Sequence, residues 1–419
     1  MKTCFSAADI LLPDFEHTKG EAWAVVACDQ FTSEPEYWQR AEALVGDAPS
    51  ALRLILPEAY LGETEARVPT INATMREYLD SVLLEHKDAM IYLERTQSDG
   101  KIRRGLIGKI DLEAYDYKKG ASSMVRATEG TVAERIPPRV AIRRDAVLEL
   151  PHVMVLIDDE QRTVIEPLAA CKGESKAAYD FDLMLGGGHA SAWFLSEDQK
   201  ARVLQALEAL SAPALMREKY GVDADPLVFA VGDGNHSLAS AKAAYEEVKA
   251  SIGEAVAKDH PARYALVELV NLHDEALEFE PIYRVLFGVS PSDVMNELEA
   301  YANGLAGDAG EQKILCVGNF EDREIAVKHP VGQLAVGTVG DFIDGYLNKH
   351  EGAEVDYIHG IESTRKLAAR EDAIGFLFDG MEKNQLFKAV ICDGALPRKT
   401  FSMGHAEDKR YYLECRKIK

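Results

Sequence analysis

Apolar and polar positions divide the chain into short apolar runs and longer amphipathic stretches, an alternation that predicts an α/β protein. The run 227–231 (LVFAV) predicts a buried strand that breaks at Gly232 into a polar turn, and the Ala-rich stretch after it predicts a helix over 237–248. Runs 153–157 (VMVLI) and 263–272 (RYALVELVNL) predict core strands, and 278–287 a further strand; 50–56 is a short strand candidate. Residues 21–38 predict a strand, a polar turn and a helix entered through Thr32 and Ser33 with Pro35 in its first turn. Apolar residues at helical spacing over 64–86 predict a long amphipathic helix. The segment 89–112 predicts an antiparallel pair turning at Asp99-Gly100. Helices are predicted over 196–210, capped by Ser196, over 290–306 after Ser290, and over 340–350 and 361–371 between short strands. Three regions follow: an N-terminal α/β region over 1–120, a mixed-sheet core over 121–300, and a C-terminal α/β region over 301–419.

Composition narrows the class. At 419 residues the chain is long enough for two or three domains. Its formal charge of −23 argues against a nucleic-acid partner, because neutralising phosphates needs surplus Lys and Arg. Six scattered cysteines without a C-x-x-C pair predict free thiols in a reducing compartment. Asp9, Pro13 and Asp14 interrupt any signal-peptide core, and no long apolar run predicts a membrane span, so a cytoplasmic location is expected.

The candidate chemistry sits at 232–237. Two glycines let the backbone approach a ligand, and the start of a helix offers unpaired N–H groups to an anion. Asp233, Asn235 and His236 add a carboxylate, an amide and an imidazole. The turn is neither a Walker A loop nor a G-x-G-x-x-G fingerprint. Of five Asp-Gly pairs only this one lies between a predicted strand and a predicted helix. The most basic window, with Arg126, Arg135, Arg139, Arg143 and Arg144, is either a phosphate-binding cluster or a salt-bridged face. His189 after three glycines is either a phosphate ligand or the tip of a turn. Arg398 and Lys399 predict a cationic surface turn, Tyr283 and Phe287 a core stripe, and Arg284 an ion pair with Glu280. No histidine pattern supports a transition-metal site.

The segments VGDGNHSLASA (231–241) and ATEGTVAERIPPRVAIRRDAVLELPHVMVLIDD (127–159) resemble, in order, two segments of the ParB/sulfiredoxin-like superfamily. The first resembles its D-G-H-H-R turn, and the second places Glu129 where that superfamily has an acidic residue. ERT (94–96), GGGHASAW (186–193), EPIYR (280–284) and LPRKTF (396–401) resemble domain-of-unknown-function family 1015 along most of the chain. The superfamily includes free serine kinases, so the resemblance implies a mixed-sheet core and phosphoryl transfer from ATP, ADP or another nucleotide to a small hydroxyl metabolite such as serine. It implies Glu129 as general base, with Asp233 and His236 catalytic and Asp233 also holding Mg²⁺. Gly232, Gly234, Asn235, Ser237, Arg126, Arg139 and His189 would then contact phosphate or nucleotide. Two departures stand out. Asn235 replaces the first His of the turn and Ser237 replaces its Arg, which removes a bidentate clamp. A nucleotide or phosphate-ester hydrolase and a non-catalytic nucleotide sensor are the alternatives.

Overall fold

Ile91–Thr96 and Ile102–Asp111 pair antiparallel across the Asp99-Gly100 turn. This hairpin lies inside a ten-stranded mixed sheet. The protein is described from a computed structural model covering residues 3–130, 136–404 and 406–419. Across the sheet the order is Ala177–Asp182, His189–Phe194, Ile91–Thr96, Ile102–Asp111, Tyr264–Asn271, Met154–Ile157, Phe229–Asp233, Val125–Ala127 and Tyr115–Asp116, with Phe5–Ser6 pairing along Ile102–Asp111. Met154–Ile157 runs parallel to Tyr264–Asn271 and antiparallel to Phe229–Asp233. Val125–Ala127 is parallel to Phe229–Asp233. The expected α/β class with a mixed sheet is therefore observed.

Both faces of this sheet are covered. Successive strand residues go to opposite sides, so Ile91, Leu93 and Leu266 join a cluster with Trp23 and Trp38. Tyr92, Val267 and Leu269 join a second cluster with Val155 and Phe229. Double burial explains why 227–231 and 263–272 are nearly continuous apolar runs rather than alternating ones.

The chain forms two compact units, Met1–Leu277 with His405–Lys419, and Glu278–Gly404. The divisions expected near residues 120 and 300 differ from these, because the hairpin strand Ile102–Asp111 is hydrogen-bonded to Tyr264–Asn271 and shares its core. The terminal segment also belongs to the first unit: Tyr411–Tyr412 pairs with Val25–Val26, and Arg416–Lys417 with Leu148–Glu149. The second unit holds a six-stranded sheet in the order Phe320–Val327, Gln312–Gly318, Ala373–Leu377, Phe279–Phe287 and Glu354–His359, with Phe401–Met403 pairing the start of Phe279–Phe287.

Local expectations fare unevenly. Segment 50–56 is not a strand: Ser50 accepts a hydrogen bond from the Leu52 amide and starts the 3₁₀ turn Ala51–Leu54. The long helix runs Thr64–Ser81, and Leu83–Ala89 turns into a strand against Ala8–Pro13. Pro35 does open its helix, with Glu34 rather than Thr32 or Ser33 at the cap position. Ser196 forms a full capping box with Gln199. Besides Ala335–Leu347 and Ile361–Ala368, the second unit contains the helix Lys383–Asp393, which the apolar pattern did not single out.

Candidate functional site

The strand Phe229–Asp233 and the 18-residue helix Asn235–Ile252 meet at Gly234. Gly234 has φ 77°, and a Cβ there would lie 3.0 Å from the Val153 Cα, so both conformation and space require glycine. Just before it, Asp233 is opposite Met154 while Val231 is opposite Val155, which leaves Gly232 as the extra residue of a β-bulge. Bulges of this kind re-aim the side chain that follows. Gly234 has no side chain with which to cap the helix, and the first turn holds no acidic residue, so the Asp233 carboxylate just before it is the nearest acidic group in this segment to the positive end of the helix dipole.

Each side chain of the turn is held by a few bonds. Asp233 Oδ1 accepts from the Gly234 amide at 2.8 Å, and Oδ2 pairs with Lys409 Nζ at 3.2 Å. Asn235 Nδ2 donates to the Val231 carbonyl at 3.3 Å and to Thr128 Oγ1 at 3.5 Å. Its Oδ1 is buried with no partner among the described residues. An acceptor left so costs about 1–3 kcal/mol, which a ligand donor or an ordered water would recover. Ser237 Oγ lies 3.4 Å from His152 Nε2. His236 is half-buried in the first helical turn, and its carbonyl accepts from Ser240 Oγ.

Around the turn stands a second set of groups. His152 is buried, its Nδ1 2.8 Å from the Tyr412 hydroxyl and its Nε2 3.9 Å from Asp29. Burial pushes the Asp29 carboxyl up, yet His152, Gln30 and Lys409 beside it outweigh burial and hold it below the usual carboxylate range. Burial and Asp29 push the Cys28 thiol up to about 12, so it is no nucleophile at neutral pH. A cavity of about 190 Å³ opens beside Ser237 and His152, walled mainly by apolar residues such as Leu54, Ile71, Met75 and Leu148.

The residues singled out from sequence do not all meet. Gly232 to Ser237 form one turn. Val231 is level with Ala127 in a parallel pair, so Glu129 follows Ala127 by the same two residues by which Asp233 follows Val231. Arg139 lines the same cavity as Ser237, with its guanidinium paired to Glu58. Arg126 does not reach the turn: it is buried, and donates to the Ser123 and Asp225 carbonyls at the opposite end of its strand. His189 is held between Asp180 and Asp182 at 2.7 Å each. Four strands separate its strand from Phe229–Asp233, which puts it roughly 24 Å away at the spacing of sheet strands. Arg143 and Arg144 are spent on Glu149 and Glu247, the salt-bridged alternative for that window, and Arg135 lies outside the described residues.

Sequence reasoning missed Asp29, His152, Lys409 and Tyr412. Asp29 follows an apolar run, and His152 precedes one, a weak local signal in each case. Lys409 and Tyr412 reach the site from the far end of the chain, 176 residues beyond Asp233 in the case of Lys409, and no local pattern marks them.

The family described as protein of unknown function (DUF1015) matches residues 13–417. The chain belongs to this family. The resemblance read from ERT, GGGHASAW, EPIYR and LPRKTF is thus borne out. No curated protein matches significantly. Among solved structures, a mutant free serine kinase in complex with AMP aligns at 11% identity and a TM-score of 0.37, over 74% of this chain and 91% of its own. SbnI with a C-terminal truncation, from Staphylococcus aureus, aligns at 10% identity and 0.34, over 71% and 82%. A conserved hypothetical protein from Pyrococcus furiosus aligns at 16% identity and 0.28, over 48% and 83%. Likenesses this distant establish no activity for this chain. No helix among the described residues is long and apolar enough to cross a membrane.

Proposed function

We propose that this protein is a nucleotide-dependent phosphotransferase that moves a phosphoryl group from ATP or ADP to a small hydroxyl metabolite, with serine the first acceptor to try. The reading is supported by the bulged strand that opens through Gly234 onto a helix N-terminus without a side-chain cap, with Glu129 two residues beyond Ala127, the register partner of Val231. Phosphoryl transfer asks for donors around the phosphates, a countercharge and a group that takes the acceptor proton, and little else. Backbone amides of 235–237 and the Lys409 ammonium supply donors and charge. Asp233 would supply one hard oxygen ligand to Mg²⁺, which would displace the Lys409 ammonium that now pairs with its Oδ2. When bound with the nucleotide, the ion would offset phosphate charge. The acceptor oxygen forms the new bond to phosphorus as the bond to the nucleotide's leaving oxygen breaks, and Glu129 takes the acceptor proton, a role worth roughly 10²–10⁴-fold in rate. The cavity beside Ser237 offers an acceptor other than water a place to bind, which favours transfer over hydrolysis.

A nucleotide sensor without turnover is the second reading. It is favoured by Ser237 standing where the resembled turn has Arg, and by the diversion of Arg126 to backbone carbonyls. Phosphorus NMR on the full chain with Mg²⁺, ATP or ADP, and serine or another small alcohol separates the readings. A new phosphomonoester that requires both acceptor and protein supports transfer. Nucleotide binding with neither phosphoester nor phosphate release sinks it in favour of the sensor, and acceptor-independent phosphate release sinks it in favour of a hydrolase.

A further inference from the structure

Arg284, on the strand Phe279–Phe287 of the second unit, does not make the ion pair with Glu280 that its spacing suggests. Glu280 is exposed, whereas Arg284 is 2% exposed. One terminal nitrogen of Arg284 donates to the Ile282 carbonyl and the other to the Arg398 carbonyl, the latter at 2.9 Å. Its Nε is buried with no partner, and no carboxylate lies within salt-bridge distance among the described residues. Tyr357 and Phe378 flank the guanidinium, with ring centroids 5.1 and 5.8 Å from Cζ. Burial pulls Arg284 down to about 10, so it keeps its charge at neutral pH. A buried cation whose only partners are neutral is costly, and an anion beside it would recover much of the cost.

There is room for one. Arg284 lines a cavity of about 300 Å³ in this unit. Val336 and Gly337, from the first turn of the 13-residue helix Ala335–Leu347, line it too, and the cap residue Leu334 offers that turn no side-chain acceptor. The cavity follows the flank of this helix, since Gly340, Asp341, Ile343 and Asp344 line it as well and the Gly337 amide is bonded to the Leu334 carbonyl, so the buried Arg284 guanidinium is the group that favours negative charge there. The cavity also carries the opposite sign. Asp341 and Asp344 line it from exposed positions, Asp344 bonded to Arg398 at 2.6 Å. Two carboxylates disfavour a dianion such as phosphate, and offer an ammonium group a place to bind.

We propose that this cavity binds a small zwitterionic amino acid, its carboxylate toward Arg284 and its ammonium toward Asp341 and Asp344. The volume is at the lower end of small-molecule sites, which fits a ligand of that size. The proposal is independent of phosphoryl transfer in the first unit.

Isothermal titration of the full chain with each common amino acid, with the matching amine-free carboxylic acids and with inorganic phosphate, tests it. One or more amino acids should bind with unit stoichiometry, and at least tenfold tighter than the amine-free acid or phosphate. Arg284→Gln should abolish that binding. Because loss of Arg284 risks loss of folding, Gly340→Leu is the decisive variant. Gly340 lines the cavity, and a Cβ there meets nothing within 4 Å, so the new side chain fills the space without a clash at its root. It should weaken binding at least tenfold with an unchanged melting temperature. The proposal is overturned if no amino acid binds, if the amine-free acid or phosphate binds as tightly, or if Gly340→Leu binds like the parent.

Discussion

Glu268 and Asp233 are both register partners of Met154, one on each side of it, so the two carboxylates stand level across three neighbouring strands. Consecutive residues of the terminal segment answer them: Arg410 bonds Glu268 at 2.8 Å, and Lys409 bonds Asp233 at 3.2 Å. There the likeness ends. Glu268 is fully buried and also takes Arg103 at 3.3 Å, while Arg410 reaches on to Glu414 at 2.6 Å. Asp233 is half-exposed, beside an uncapped helix start and an orphaned Asn235 Oδ1. Equal placement in a sheet therefore does not give equal roles. What separates them is how fully the neighbours already satisfy the charge: a saturated network pins the terminal segment, and an undersatisfied one leaves capacity for a ligand.

The largest effect expected from that contrast is at Glu268. Glu268→Ala leaves Arg103 and Arg410 buried without their shared carboxylate, and should cost about 3–5 kcal/mol of stability in urea unfolding. A loss under about 1 kcal/mol would mean the network is not the pin described.

Acid should find the same network next. Burial pushes Glu268 and Glu149 up, but Arg103 and Arg410 beside the first, and Arg416 and Arg143 beside the second, outweigh it and hold both below their ordinary value of 4.5. Groups depressed on folding add stability that is fully present above that ordinary value and is lost as pH falls through the lower folded values. Unfolding free energy should thus be unaffected by these groups from neutral pH to near 4.5. Below it, stability should fall by up to about 1.4 kcal/mol per pH unit for each. A urea midpoint that stays constant down to pH 3 would contradict the assignment.

The smallest structural effect belongs to Asp233. Asp233→Asn breaks a half-exposed pair with Lys409, so it should change stability by less than about 1 kcal/mol. Under the proposed function it should also weaken Mg²⁺-nucleotide binding roughly tenfold, or about 1.4 kcal/mol. Unfolding of the variant would instead make the turn a structural element like the one around Glu268.

Periodicity and turn chemistry made much of this visible in advance. The Asp99-Gly100 hairpin, the Ser196 cap and the strand–turn–helix at 232–237 rest on contacts within a few residues, which a local pattern can encode. Arg126 and His189 looked like phosphate ligands because sequence shows residue type but not which carbonyl or carboxylate a side chain meets after folding. Lys409 and Tyr412 were hidden for the converse reason: they are brought to the site by the returning terminal segment, and long-range pairing leaves no local trace. Arg284 reverses its reading for the same cause. Its strand neighbour Glu280 is close in sequence, but the residue is buried away from it.

The most direct measurement on the central claim is a comparison of Glu129→Gln with the parent chain, with nucleotide affinity by titration and turnover by phosphoester formation taken on the same samples. A general base acts on the proton moved in the transition state and adds little to ground-state nucleotide binding. Turnover should therefore fall by roughly 10²-fold or more, with nucleotide affinity within about twofold and an unchanged melting temperature. Full turnover in Glu129→Gln, or equal losses of turnover and affinity, would contradict the account.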